Sequence, residues 1–265
     1  MAQRPIFLPQ NTQPFSREVN IEFQWFGGFA RSQQQKCIAS LHDEANAREF
    51  GPTLEISSRS PTPLGVALSA FNLKVRIGGL PEATVEAVFQ CSKVFASCGP
   101  FPEFLGMSGR DIKRDPRLRG SGPLKRFQLG DEEWRLSPKT ALYDWIYVRA
   151  LVQNSELSSQ ICGYNSFSDI AFNPERSLNC QARSAALFVA LTKFGNLEKC
   201  LTGQRDFLRE VYGVQTGESA KTFQASLEFG NSDGETASKT PSNSTVEPRV
   251  AQPGAPRPEN TVDPD

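Results

Sequence analysis

Apolar and polar residues alternate over positions 19–25, where Val19, Ile21, Phe23 and Trp25 share one face, and this spacing predicts a half-buried strand. The period then changes. Cys37, Ile38, Leu41 and Ala45 fall on one stripe of a helix expected over 32–48. Apolar runs at 54–57 and 73–77 read as short strands, the second stopped by Gly78 and Gly79. Thr84 is suited to cap a helix running to about Ser97, and Ser137 with Pro138 to open another reaching about Val152. A short helix is expected over 155–162. A last one opens at Asn179, crosses the apolar run 185–191 and stops near Gly195. The segment 99–130 is rich in Gly and Pro and carries a charged stretch over 109–116. Strands and helices mix without a regular strand–helix repeat, which predicts a single α+β domain, helix-dominated from residue 80 onward.

The C-terminal pattern is different. Residues 231–265 contain six prolines and no Leu, Ile, Phe, Trp, Tyr, Met or Cys. Such a segment cannot offset a backbone ordering cost of roughly 1–2 kcal/mol per residue. Residues 214–265 are therefore expected to be mostly disordered, with Phe223, Leu227 and Phe229 the last side chains able to dock.

Composition narrows the chemistry. Acids and bases number 29 each, but positions 231–265 hold six acids and three bases, so the first 230 residues hold 26 bases and 23 acids. That balance permits contact with a polyanion without requiring it. Six cysteines without a CxxC pair are expected to be reduced thiols of a cytoplasmic protein. Residues 1–10 lack the basic start and long apolar run of a signal peptide, and no stretch reaches the roughly 20 apolar residues of a membrane span. His42 is the only histidine, which argues against Ser-His-Asp, Cys-His and His-rich metal chemistry. No motif implies a metal or an organic cofactor. Carboxylates and lysine remain.

In the helix expected over 84–97, Glu86, Gln90 and Lys93 project within roughly 60° of one another. Almost every other position there is apolar or small. A narrow polar seam on a buried helix either edges the solvent, with Lys93 snorkelling outward, or lines a cleft. In a cleft of low dielectric a lysine loses its proton more readily and a carboxyl keeps it longer, and both changes suit glycosidic chemistry without histidine. A second constellation is Asp169, set among aromatics ahead of Asn179 and Arg183, where a helix N-terminus can receive a diphosphate. The plainer reading makes Asp169 and Asn179 turn and cap residues, and Trp134 and Trp145 core residues.

These segments resemble the NADAR family. Its landmarks are matched by Ser69-Ala-Phe71, by Glu86-Ala-Val-Phe-Gln-Cys-Ser-Lys93-Val-Phe95, and by Asp169 ahead of 179–191. The branch associated with DarT-type toxins is similar across nearly all of 1–213, including 28–36, 68–73 and 179–188. Ala70 stands where the wider family has asparagine, and 170–178 replaces its Gly-rich turn. The resemblance implies a branch-specific strand and helix element at 1–53 packed on a catalytic core at 54–213. It implies an antitoxin that removes ADP-ribose from guanine in DNA, undoing the modification made by a DarT-type partner.

On this reading Glu86, Lys93 and Asp169 are the candidate catalytic residues. One of the two carboxyls would protonate, while Lys93 either attacks ribose C1 or only binds phosphate. Ser69, Asn72, Gln90, Asn179 and Arg183 are candidate ADP-ribose contacts, and Trp134 a base-stacking platform. Arg31 and Lys36 are candidates for the nucleic-acid backbone. An N-glycosidase acting on a small phosphoribosyl metabolite, as in the family's riboflavin-linked branch, and an antitoxin that binds the toxin directly are the competing readings.

Overall fold

In the computed structural model, Ala2–Pro9 (β1) and Ser16–Phe23 (β2) form an antiparallel hairpin, in register from Ala2 opposite Phe23 to Pro9 opposite Ser16. The structure describes residues 1–28, 30–173, 177 and 179–214; the expected disordered tail, from 215 on, lies outside the described residues. The alternation in β2 does what the sequence predicts, with Ile21 and Phe23 buried and their polar neighbours turned out. The following helix, Arg31–Ala47 (α1), buries Cys37, Ile38, Leu41 and Ala45, the four residues of the predicted stripe.

Thr53–Glu55 (β3) comes next, then a short helix at Pro63–Ala67 (α2) capped by the Thr62 hydroxyl. Lys74–Val75 (β4) pairs with Ala83–Thr84 (β5). Val85–Cys91 (α3) follows directly, with Thr84 Oγ1 accepting from the Ala87 N–H as the predicted cap. This helix stops six residues before its expected end. Ser92 Oγ donates to the Phe89 carbonyl, and Lys93–Phe95 (β6) becomes a strand.

The partner of β6 lies thirty residues onward, at Leu124–Leu129 (β7), which also pairs with Glu132–Trp134 (β8). A non-local pairing therefore overrides the local helical pattern. The intervening Gly- and Pro-rich segment contains two short helices, Gly109–Arg114 (α4) and Arg117–Gly120 (α5).

The next helix, Ala141–Gln153 (α6), starts after Thr140 rather than at Ser137, so Pro138 belongs to the turn before it. Ser155–Ile161 (α7) agrees with its expected bounds, and Ser166–Ser168 (β9) is a strand the sequence reading missed. The last long helix, Gln181–Lys193 (α8), opens two residues after Asn179, and Leu197–Leu201 (α9) and Gln204–Tyr212 (α10) follow. The architecture is α+β. Among the described residues no helix is long and apolar enough to cross a membrane, and all six cysteines are free thiols.

The main sheet has the order β2-β1-β9-β3, antiparallel except for the parallel pair of β9 and β3. Alternating side chains send Ile6, Ile21 and Phe23 to one face, where α1 covers them. Phe7, Leu54 and Phe167 go to the other face, against α8. Residues 185–191 are at most 2% exposed, and a helix apolar all round belongs between two layers. Here those layers are the sheet and α6, and α6 in turn packs on α3. This stack brings the end of β9 and the start of α3, 80 residues apart in sequence, to the two sides of α6 and α8.

Candidate active site

Glu86 lies in the first turn of α3 and retains only 7% exposure. Its Oε1 accepts from Gln90 Nε2 at 3.1 Å and is 3.8 Å from Lys113 Nζ. Lys113 comes from α4 and also lies 4.3 Å from the centre of the Phe71 ring, a cation–π contact. Gly109 opens α4 so close to this pair that a β-carbon there would meet Phe71 Cδ1 at 2.5 Å and Glu86 Cγ at 3.7 Å. The charged stretch 109–116 was visible in sequence, but its lysine could not be assigned to Glu86 without the loop's path.

Lys93 is no longer helical, yet it remains beside Glu86. Its ammonium stands 5.1 Å from the Phe89 ring centre. Burial lowers its pKa, opposed by the charge of Glu86 and reinforced by that of Lys113. The strand that holds it needs Gly99, whose φ is +106° and where a β-carbon would lie 2.2 Å from the Lys93 carbonyl oxygen.

Asp169 sits at the end of β9 with 9% exposure. Its carboxylate accepts from Gln181 Nε2 at 2.9 Å and from the Ala171 N–H at 3.1 Å. Burial, and then the charge of Glu55, push its pKa up to about 7, against the pull of those donors. Glu55 itself is 1% exposed, and burial raises its pKa too. It accepts from Ser57 Oγ at 2.7 Å, Ser168 Oγ at 2.5 Å and the Ile170 N–H at 2.9 Å, three donors that favour its ionised form.

Behind them, His42 Nε2 is 2.9 Å from Ser168 Oγ. Because that hydroxyl gives its only proton to Glu55, the imidazole Nε2 must donate to it. Burial lowers the His42 pKa to about 4, so the ring is neutral near pH 7. Neither Glu55 nor Gln181 was singled out from sequence; a lone Glu in a three-residue strand carries no pattern.

Gln181 joins the two halves. The Ala70 N–H donates to its Oε1 at 2.8 Å, while its Nε2 donates to the Ile56 carbonyl at 2.6 Å and to Asp169. The Ala70 carbonyl accepts from the Glu86 N–H at 2.9 Å. Three hydrogen bonds thus run from the backbone of Glu86 through Ala70 and Gln181 to Asp169. The buried Tyr143 ring lies between, packed edge-on to Phe89 at 5.3 Å, and its phenol is held well above its usual pKa by burial and by the charges of Glu86 and Asp169, among others. Two buried carbonyl oxygens, Gln90 Oε1 and Asn179 Oδ1, have no hydrogen-bond partner among the described residues. Buried acceptors are rarely left so, and both are free to receive a ligand hydroxyl.

The other predicted residues are occupied differently. Trp134 is 1% exposed and packs against Trp145, itself 2% exposed, so neither indole offers a face to a ligand. The expected stacking platform is core. Arg183 is committed to an ion pair with fully buried Asp144, with Thr140 and Tyr212 as further partners, which corrects its reading as a diphosphate contact. Ser69 is fully buried, its hydroxyl accepting weakly from the Phe71 N–H within its own turn. Asn72 is exposed and donates to the Val66 carbonyl. Arg31 is exposed at the first residue of α1, with Lys36 half-buried one turn on. A shallow groove lined by Lys74, Arg76, Glu82, Gln153 and Asn154 shares no residue with this site.

The arrangement is a low-dielectric cleft with an amine, a carboxyl that titrates near neutrality, a second carboxyl and two open acceptors. A search of curated proteins finds no match to the chain. The family model described as the DarT1-associated NADAR antitoxin matches residues 2–221. With that match covering most of its length, the chain belongs to the DarT1-associated NADAR antitoxin family.

Proposed function

We propose that the protein is an ADP-ribosyl hydrolase that releases ADP-ribose from the exocyclic amine of guanine in DNA and so reverses the modification made by its toxin. The observation that carries this reading is the half-buried Lys93 amine beside Glu86, its pKa lowered by burial, in a cleft joined by hydrogen bonds to Asp169. Opening of the sugar turns the C1–N bond into an imine of guanine. Lys93 Nζ adds at C1 while Glu86 accepts the displaced ammonium proton. Guanine then leaves as the free amine, carrying a proton from Asp169, and the imine passes to Lys93. Water hydrolyses it, returning the lysine amine and free ADP-ribose. Gln90 Oε1 and Asn179 Oδ1 serve as acceptors for ribose hydroxyls, and Lys113 stands ready for the diphosphate.

The direct test incubates the purified protein with guanine-ADP-ribosylated DNA and measures released ADP-ribose. Release by the wild type, lost in folded Glu86→Gln, is expected. No release by the wild type, with turnover of a free phosphoribosyl metabolite, would move the protein to the metabolic reading. No release at all, with protection against the toxin intact in Glu86→Gln, would favour neutralisation by direct binding.

The rate should also fall as pH rises through about 7, because the acid form of Asp169 is the one that donates. Asp169→Asn keeps an N–H donor but no transferable proton, and is expected to be slow and flat over that range. The same raised pKa has a stability sign. The folded protein holds this proton above the pH at which an unfolded aspartate loses it, so the contribution is full below about 4 and is lost as pH rises through about 7. An activity profile that keeps its decline near pH 7 in Asp169→Asn would exclude Asp169 as the acid.

A further inference from the structure

Residues 109–126 hold seven bases and two acids, while the other positions of the first 230 hold 19 bases and 21 acids. The positive balance of the folded region is thus concentrated in one segment. That segment forms α4, α5 and the start of β7, and it borders the candidate site on two sides. Through Lys113 it reaches Glu86, and through β7 it pairs with the strand of Lys93, with Phe127 opposite Lys93 and Arg126 opposite Val94.

Its internal ion pairs are already made. Arg117 is held by Glu103 at 2.6 Å and Asp115 at 2.8 Å, and Arg126 by Glu133 at 3.1 Å. Asp111 accepts from Ser108 Oγ at the start of α4. Arg110, Arg114, Arg119 and Lys125 are exposed and have no ion pair among the described residues. The acids nearest along the chain, Asp131 and Glu132, follow at the turn after β7. On α1, by contrast, Arg31 and Lys36 are matched by Asp43 and Glu44.

We infer that Arg110, Arg114, Arg119 and Lys125 form the surface that holds the DNA phosphodiester backbone while a modified guanine occupies the neighbouring site. The inference rests on the DNA reading of that site for its polyanion. Exposed, unpaired cations cost little to leave in water. Placed in a row beside a cleft, they raise the local concentration of a polyanion and release its counterions on binding. Phosphate contacts of this kind position a strand without reading its sequence. The base-specific part of recognition is left to the cleft.

The test uses the full chain and an unmodified, fluorescently labelled DNA oligonucleotide, with binding followed by anisotropy against salt concentration. Arg110→Gln, Arg114→Gln, Arg119→Gln and Lys125→Gln are combined in one variant. Its affinity at low salt should fall roughly ten- to a hundred-fold, and its log–log salt slope should lose about two to three units. If that variant fails to fold, the exposed pair Arg119→Gln and Lys125→Gln should still lower the slope by about one to two units. Turnover separates the surface from the site: kcat/KM on an ADP-ribosylated oligonucleotide, divided by that on ADP-ribosylated guanosine, should drop by the same factor as binding.

A folded variant with the wild-type slope and affinity would overturn the inference while leaving hydrolysis at the site intact. Conversely, a lost slope in a protein that releases no ADP-ribose would keep the surface and reject the hydrolase reading.

Discussion

Lys93→Ala is expected to lower ADP-ribose release by about a thousand-fold or more, with little change in fold, because the residue that forms the covalent bond is gone. The side chain is half-buried and makes its one aromatic contact with Phe89, so its removal leaves no buried charge behind. Borohydride added during turnover should trap an ADP-ribosyl adduct on the wild type at Lys93 and none on Lys93→Ala. Lys93→Arg decides between the two roles open to this residue. A guanidinium keeps the positive charge and can bind phosphate, but it stays protonated and cannot attack C1. If Lys93→Arg retains a large share of the wild-type rate, or if no adduct is trapped, the imine route falls and water must attack directly.

The second large effect is on stability. Asp144 is fully buried, and it is the counter-ion of Arg183 and an acceptor for Ser184 Oγ at 2.5 Å and for Tyr212. These contacts tie α6 to α8 and α10. Asp144→Ala would leave a largely buried guanidinium without its partner, at a cost of about 3–5 kcal/mol. For a folded region of this size that is a fall in Tm of roughly 10 °C. Removing both charges should recover much of the loss, since the desolvation of each ion disappears with it. Urea denaturation of Asp144→Ala beside Asp144→Ala with Arg183→Met measures this. Equal stability of the two variants would show that the ion pair itself is not what holds the three helices.

Arg183 also marks where reading the sequence stops. A single arginine on a helix after Asp169 fits a ligand contact or a buried ion pair equally well, and only the position of Asp144, 39 residues earlier, decides. The periodic parts were legible: the inward face of β2, the four-residue stripe of α1, the Thr84 cap and the apolar run of α8 all rest on local spacing. What spacing cannot contain is pairing. Lys93 reads as helical until β7 arrives to make β6 a strand. Ser166–Ser168 is too short to show alternation, and Glu55 gains meaning only when that strand sets Asp169 beside it. The site was legible in its residue types and not in its connections, and Gln181 and Lys113 were missed for that reason. Trp134 was misplaced because an indole suits a core as well as a ligand.

The position of β9 has a consequence for how the chain comes into being. It lies between β1 and β3, yet Ile6 faces Ser168 across the sheet, so a loop of most of the domain must close before the middle of the sheet is filled. During synthesis at about 5–20 residues per second, the hairpin and β3 therefore wait on the order of ten seconds or more for their common neighbour. Throughout that interval both carry unpaired backbone edges, which are targets for mispairing and for proteases. A nascent chain released before Ser166 contains Glu86 and Lys93 but neither Asp169 nor the strand that orders Glu55. The supply of working protein is then set by completed chains alone, with no partial product able to stand in for them.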